Sequence, residues 1–235
     1  MGKKHCILDF ETLGVADDGM SNQAVVSLGA IVFDEDIGLE QLKQVPFLTL
    51  VDKAFYVKFA LGSQKPGGKF ERKFDPDTIE WWKAQAPEVK KELLPSKDDE
   101  QINVAIQKFK TYLQEKGCNP KDTKMYAVGQ HFDLPLAQSL THSCGIDFHD
   151  KFCKFWNFRD VRTVLDEHVG MSNSSFKLPP HIEKDFIKHR AEHDVVYTLY
   201  QMVYARALSS GEITVQEMYK ERLNVNYDKD VCNGV

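Results

Sequence analysis

The sequence lacks the features that would place it in several common protein classes. None of its five cysteines, Cys6, Cys118, Cys144, Cys153 and Cys232, stands in a Cys-x-x-Cys pair, so a structural zinc site is not expected. An odd, scattered set of thiols fits a reduced, cytoplasmic setting rather than a disulfide framework. Charges interrupt every apolar run before it reaches the length of a membrane span, so no membrane association is expected. The opening Met1-Gly2-Lys3-Lys4-His5 leads into an apolar stretch that Asp9 and Glu11 soon break, too short and too acidic for a signal peptide. The glycines of residues 62–68 are not followed by Gly-Lys-Ser/Thr, which excludes a P-loop, and no His-Glu-x-x-His motif suggests a zinc hydrolase. Basic excess is missing too. A formal charge of -5 argues against a protein that coats nucleic acid by charge alone. It leaves room for an enzyme that meets phosphate through divalent cations held at an acidic site.

What is present suits one domain. The 235 residues are 42% hydrophobic and 11% aromatic, enough for a sizeable core, with no repeat, low-complexity tract or clear linker. We expect a single domain over 1–235, with a core over about 5–207 and a C-terminal helix and tail over 208–235.

Apolar and β-branched runs predict strands over 6–13 and 24–34, with further strand material over 44–51 and 55–60 and a buried strand over 125–128. Asp75-Pro76 is a helix start. Helical spacing predicts helices over 98–116, 133–144, 160–168, 190–207 and 213–223, with a Gly-rich, Lys-rich loop over 62–73. Strands first and helices alternating with single strands afterwards give an α/β domain: a mixed sheet, part antiparallel meander and part parallel, flanked by helices.

Three groups of residues carry the chemistry. Asp9 and Glu11 lie two apart on the first strand, so both carboxylates share a face beside apolar neighbours, a costly arrangement unless a cation joins them. Asp133 follows the 125–128 strand, at the kind of strand end where α/β folds place functional groups; a helix N-cap is its plainer role. Asp194 lies on the 190–207 helix, and His189 stands at its start, where an imidazole beside a polarised water would serve as general base. His193 should point elsewhere, since it is one residue from Asp194 on the helix.

Asp-x-Glu, a later Asp, and His-x-x-x-x-Asp, in that order, resemble the DEDD exonuclease superfamily with its ribonuclease-H-like fold. A tyrosine variant would place Tyr at 190, where Arg190 stands; His189 matches the histidine (DEDDh, DnaQ-like) variant. The segments Ile79-Glu80-Trp81-Trp82-Lys83-Ala84-Gln85 and Lys154-Phe155-Trp156-Asn157-Phe158-Arg159-Asp160-Val161-Arg162-Thr163 are similar to the exonuclease A (DexA-like) group of tailed bacteriophages. The resemblance implies a 3′–5′ exonuclease that hydrolyses single-stranded DNA, or alternatively RNA, to nucleoside 5′-monophosphates. Asp9, Glu11, Asp133 and Asp194 would hold two Mg2+ ions, with Mn2+ as second choice, and His189 would act as base. Asp160 would be an outer partner of the metal site or simply a helix N-cap. Phe10, Thr12 and Leu13, beside the first carboxylates, would meet the terminal nucleotides. Of Trp81 and Trp82, about 100° apart on a helix, one could face a groove. Lys65 and Lys69, in a segment from Lys53 to Lys73 with six basic residues and one acid, would contact phosphates from a mobile flap. A non-catalytic nucleic-acid-binding module is the remaining alternative.

Overall fold

A computed structural model describes residues 2–15 and 21–218. A five-stranded sheet runs through it in the order β3-β2-β1-β4-β5. The strands are β1 (Lys4–Thr12), β2 (Val25–Asp34), β3 (Phe55–Lys58), β4 (Met125–Ala127) and β5 (Phe158–Asp160). The helices, in chain order, are α1 (Leu39–Lys43), α2 (Phe47–Lys53), α3 (Pro76–Lys83), α4 (Pro87–Lys90), α5 (Ile102–Glu115), α6 (Gln130–Ser143), α7 (Phe148–Lys151), α8 (Val161–Val169), α9 (Pro180–Glu183) and α10 (Ala191–Ser210). None of the described helices is long and apolar enough to cross a membrane.

The first three strands are antiparallel neighbours, and β4 and β5 join β1 in parallel. The mixed sheet and its flanking helices are the fold that the strand-then-helix order predicts. Period-two alternation along β1 divides the core between the two faces. Cys6, Leu8 and Phe10 pack with α5 and α6 residues such as Phe109, Leu134 and Leu140. Ile7, with Ile31 and Phe33, packs with Val195, Val196, Leu199 and Val203 of α10 and with Leu165 of α8. α10 is buried around most of its circumference, because the sheet lies on one side and α8 on another.

The expected strand over 44–51 is not formed. Its place is taken by α2, preceded by α1, although Thr49-Leu50-Val51 favours extended chain. Phe47 and Val51, four residues apart, are both buried in the core shared with α10, and the Tyr200 hydroxyl donates to the Val45 carbonyl at 2.9 Å. Packing on α10 therefore overrides local propensity. The predicted helices over 98–116 and 133–144 shift to Ile102–Glu115 and Gln130–Ser143. Only residues up to Met218 of the predicted 213–223 helix are described, and these are helical from Val215; the rest, and the tail, lie outside the described residues.

Candidate metal centre and substrate groove

β1 is the middle strand, and all of it except Lys4 and Asp9 is buried. Asp9 stands opposite Gly29 on β2. A Cβ at Gly29 would lie 2.2 Å from the Ala191 carbonyl oxygen and 2.7 Å from the Glu192 nitrogen. Only a residue without a side chain lets the first turn of α10 settle onto the sheet here. That close approach brings Asp194 to the Asp9 face of β1. Carboxylate oxygens of Asp9, Glu11 and Asp194 all lie within 4.8 Å of one another. Asp133, on α6, reaches in from the other side of the sheet, and one of its oxygens accepts the Phe10 N–H at 3.0 Å. It is a residue of the first helical turns, not the helix N-cap, which is Gly129 with φ +83.

The electrostatics of these acids are those of a site built for a cation. Asp9 is half-buried as a residue, but its carboxyl is drawn away from water, which lifts it to about 7. Burial, reinforced by the charges of neighbouring acids, raises Glu11, Asp133 and Asp194 well above the ordinary carboxylate range. The Asp194 Oδ2 atom is buried with no hydrogen-bond partner. The clustered oxygens of Asp9, Glu11 and Asp194, with Asp133 beside them on the same groove, fit a hard divalent ion such as Mg2+ or Mn2+.

His189 stands immediately before the N-cap of α10, which is Arg190. Its φ of +64 makes it the sole non-glycine among the described residues in the left-handed region, a strain of about 1–3 kcal/mol. Its Nδ1 is 3.8 Å from Glu11 Oε1. Burial, followed by the charge of Lys188, lowers its pKa, so the ring is neutral and able to accept a proton at neutral pH. His193 shares a His-x-x-x-His spacing with His189 but is no part of the site. Its ring packs against Phe47 at 5.8 Å, its Nδ1 accepts the Ile187 N–H at 3.3 Å, and burial pushes its pKa down to about 4.

These acids and His189 open onto one groove of about 900 Å³. Trp81 lines it, 43% exposed, with its ring perpendicular to the His189 imidazole at 4.8 Å between centroids. Trp82 is fixed in the core, and its indole N–H donates to the Thr12 carbonyl at 2.9 Å. Thr12 also lines the groove, though its hydroxyl is engaged by the Gly14 carbonyl at 2.8 Å. Of the two apolar residues expected to contact bases, Phe10 lies on the groove wall with its ring largely buried, and Leu13 does not line the groove. Phe10 is 5% exposed and stacks on Phe59, because it alternates to the opposite face from Asp9 and Glu11; Leu13 is buried beside Trp82 and Val26.

Lys65 and Lys69 do not line the groove either, and their loop is anchored rather than a free flap. The Gln64 side chain makes two hydrogen bonds to the backbone of Val25, and Arg72, buried, reaches the carbonyls of Ser21 and Gln23. The basic groups on the groove wall are instead Arg162, Lys177 and Lys188. Arg162 lies in a segment singled out only for its resemblance, Lys188 adjoins His189, and nothing in the sequence pattern marks Lys177. Asp160 is the N-cap of α8, accepting from the Arg162 N–H at 2.8 Å. It also accepts from the N–H groups of Gly129 and Gln130, so it pins the turn that starts the Asp133 helix.

The chain is similar to known nucleases in sequence and in fold. The profile of a family described as "3'-5' exoribonuclease Rv2179c-like domain" matches residues 4–206. An "Exodeoxyribonuclease" of Enterobacteria phage T4 is 32% identical over 216 residues, covering 87% of this chain and 90% of that protein. The nuclease domain of 3′hExo, "a DEDDh family member, bound to rAMP", is similar in fold, with a TM-score of 0.54 and 12% identity over 89% of this chain and 94% of that one. E. coli ExoI, solved as an "ExoI-ssDNA complex" with zinc, gives a TM-score of 0.50 and 11% identity over 88% of this chain, which spans 41% of ExoI.

Proposed function

The chain belongs to the Rv2179c-like 3′–5′ exoribonuclease domain family and is a nuclease of the DEDDh type, and on that premise we propose that it removes nucleotides one by one from the 3′ end of single-stranded DNA. The observation that carries the reading is the convergence of Asp9, Glu11, Asp133 and Asp194 with His189 in one groove. Those four carboxylates would hold two Mg2+ ions, or Mn2+. When bound, the ions supply charge neutralisation for the scissile phosphate and the departing 3′ oxygen, and acidify the attacking water. His189 takes the proton of that water, which attacks phosphorus in line, so the product is a nucleoside 5′-monophosphate. Trp81 offers its exposed ring to the terminal base, and Arg162, Lys177 and Lys188 face the phosphates behind it.

The identity with the phage exodeoxyribonuclease favours DNA. The family description favours RNA as the second reading. Matched single-stranded DNA and RNA oligonucleotides, labelled at the 5′ end and offered in competition, separate the two. Faster 3′ shortening of the DNA is expected; faster shortening of the RNA would move the enzyme to RNA turnover with the same chemistry.

A further inference from the structure

A strained residue persists only where its surroundings over-determine it. His189 is such a residue, and the feature beside it is a charged cluster that the chemistry above does not use. The Arg190 guanidinium donates through Nη2 to Glu192, and its Nε is 3.8 Å from Glu92 Oε1. Glu92, 7% exposed, sits on the short turn Lys91–Leu93 after α4 and accepts the hydroxyl of Tyr56 on β3. Glu192 is 5% exposed. Three separate parts of the chain therefore converge on the residue that follows His189.

None of Tyr56, Glu92, Arg190 or Glu192 lines the groove, so the cluster has no route to the substrate. Stability is a poor explanation for it. Two buried carboxylates share one guanidinium, and Arg190 Nε and Glu192 Oε2 are left without hydrogen-bond partners. Apolar packing of the same volume would serve the fold as well or better. What such a cluster does provide is a fixed direction. A guanidinium is a planar fork, and carboxylates placed around it define its orientation and, where its stem is packed, restrain the backbone that carries it.

We propose that Arg190 is a positioning residue: hydrogen-bonded to Glu192 and ion-paired with Glu92, it clamps the His189–Arg190 junction and so holds the His189 imidazole in the groove, against Trp81 and beside Glu11. Glu192 ties Arg190 to the first turn of α10, and Glu92 ties it to the 91–93 turn. With either tie gone, His189 is free to leave the left-handed region, and its ring swings out of place. The proposal rests on the reading of His189 as general base.

The test is a mutant cycle with a second, non-catalytic readout. Arg190→Ala is assayed on labelled single-stranded DNA in the wild-type and His189→Ala backgrounds. The expected result is a fall of about 10- to 100-fold in kcat with KM unchanged in the first background, and no further fall in the second. Equal losses in both backgrounds would overturn the proposal, because Arg190 would then act independently of His189. In parallel, the nuclear Overhauser contact between the His189 and Trp81 rings is followed by NMR. It is expected in the wild type and should vanish in Arg190→Ala; its survival would overturn the proposal whatever the activity. This contact is readable even if the wild type cleaves neither DNA nor RNA, a result that would sink the nuclease reading alone. If Arg190→Ala does not fold, Glu92→Gln, which keeps the shape and removes one charge, is put through the same two assays with the same expectations.

Discussion

At the scale of single residues, the site is a balance of unfavourable terms that a cation would reverse. Asp194 shows this most clearly, with one carboxylate oxygen buried and unpartnered and the Asp9 charge adding to burial in raising its pKa. Replacing it with Asn should have opposite effects on two properties. Cleavage should fall by more than the ~10- to 100-fold typical of losing an outer partner of a metal ligand. The melting temperature in EDTA should rise, because a like charge has left the cluster. A variant that keeps its activity, or that melts lower in EDTA, would contradict the assignment. The acids and His189 were singled out by their order along the chain, Asp-x-Glu, a later Asp and His-x-x-x-x-Asp, because each piece is weak alone and only the whole pattern resembles the DEDDh exonucleases. Residues whose role depends on burial were not legible. Phe10 and Leu13 adjoin the acids in sequence, yet the pleat and the core bury most of both side chains.

At the scale of elements, the site depends on how closely α10 approaches the sheet. Gly29 was read only as part of an apolar strand, since its contact with Ala191 spans more than 160 residues of chain. Gly29→Ala forces the first turn of α10 off β2. The expected costs are about 1–3 kcal/mol in stability, measured by denaturant unfolding, and about 100-fold in turnover. Unaltered turnover would mean that the carboxylates do not depend on this contact. The groove wall is a second case. The sequence pointed to Lys65 and Lys69 because they cluster along the chain, whereas Arg162, Lys177 and Lys188 cluster only in space. Arg162→Ala with Lys177→Ala should weaken binding of single-stranded DNA and reduce the salt dependence by about 0.7 in log–log slope for each lost phosphate contact. Lys65→Ala with Lys69→Ala should leave that slope unchanged, and the reverse pattern would restore the loop as the phosphate track.

At the scale of the whole molecule, the raised carboxylates make stability depend on pH with a definite sign. A carboxylate whose folded pKa lies above its unfolded value binds more protons in the native state, so stability falls as pH rises from the unfolded pKa to the folded one. For Asp9 that window runs from its ordinary 3.8 to about 7, and Glu11, Asp133 and Asp194 shift in the same direction. In EDTA the melting temperature should therefore drop between about pH 4 and 7. With Mg2+ present the drop should shrink or reverse, since an ion that binds only the native state adds stability as the acids ionise. The same sheet was visible in outline from the strand-then-helix order. The three-residue β5 was not, because so short and half-buried a strand leaves no pattern, and α2 was misread because its packing on α10 is invisible locally.

The most direct measurement of the central claim follows 5′-labelled single-stranded DNA with Mg2+ or with EDTA, the wild type beside Asp9→Ala. A ladder that shortens from the 3′ end, and that disappears with EDTA and with the variant, is the predicted result. A ladder that survives Asp9→Ala, or that persists in EDTA, would show that cleavage does not run through this carboxylate site.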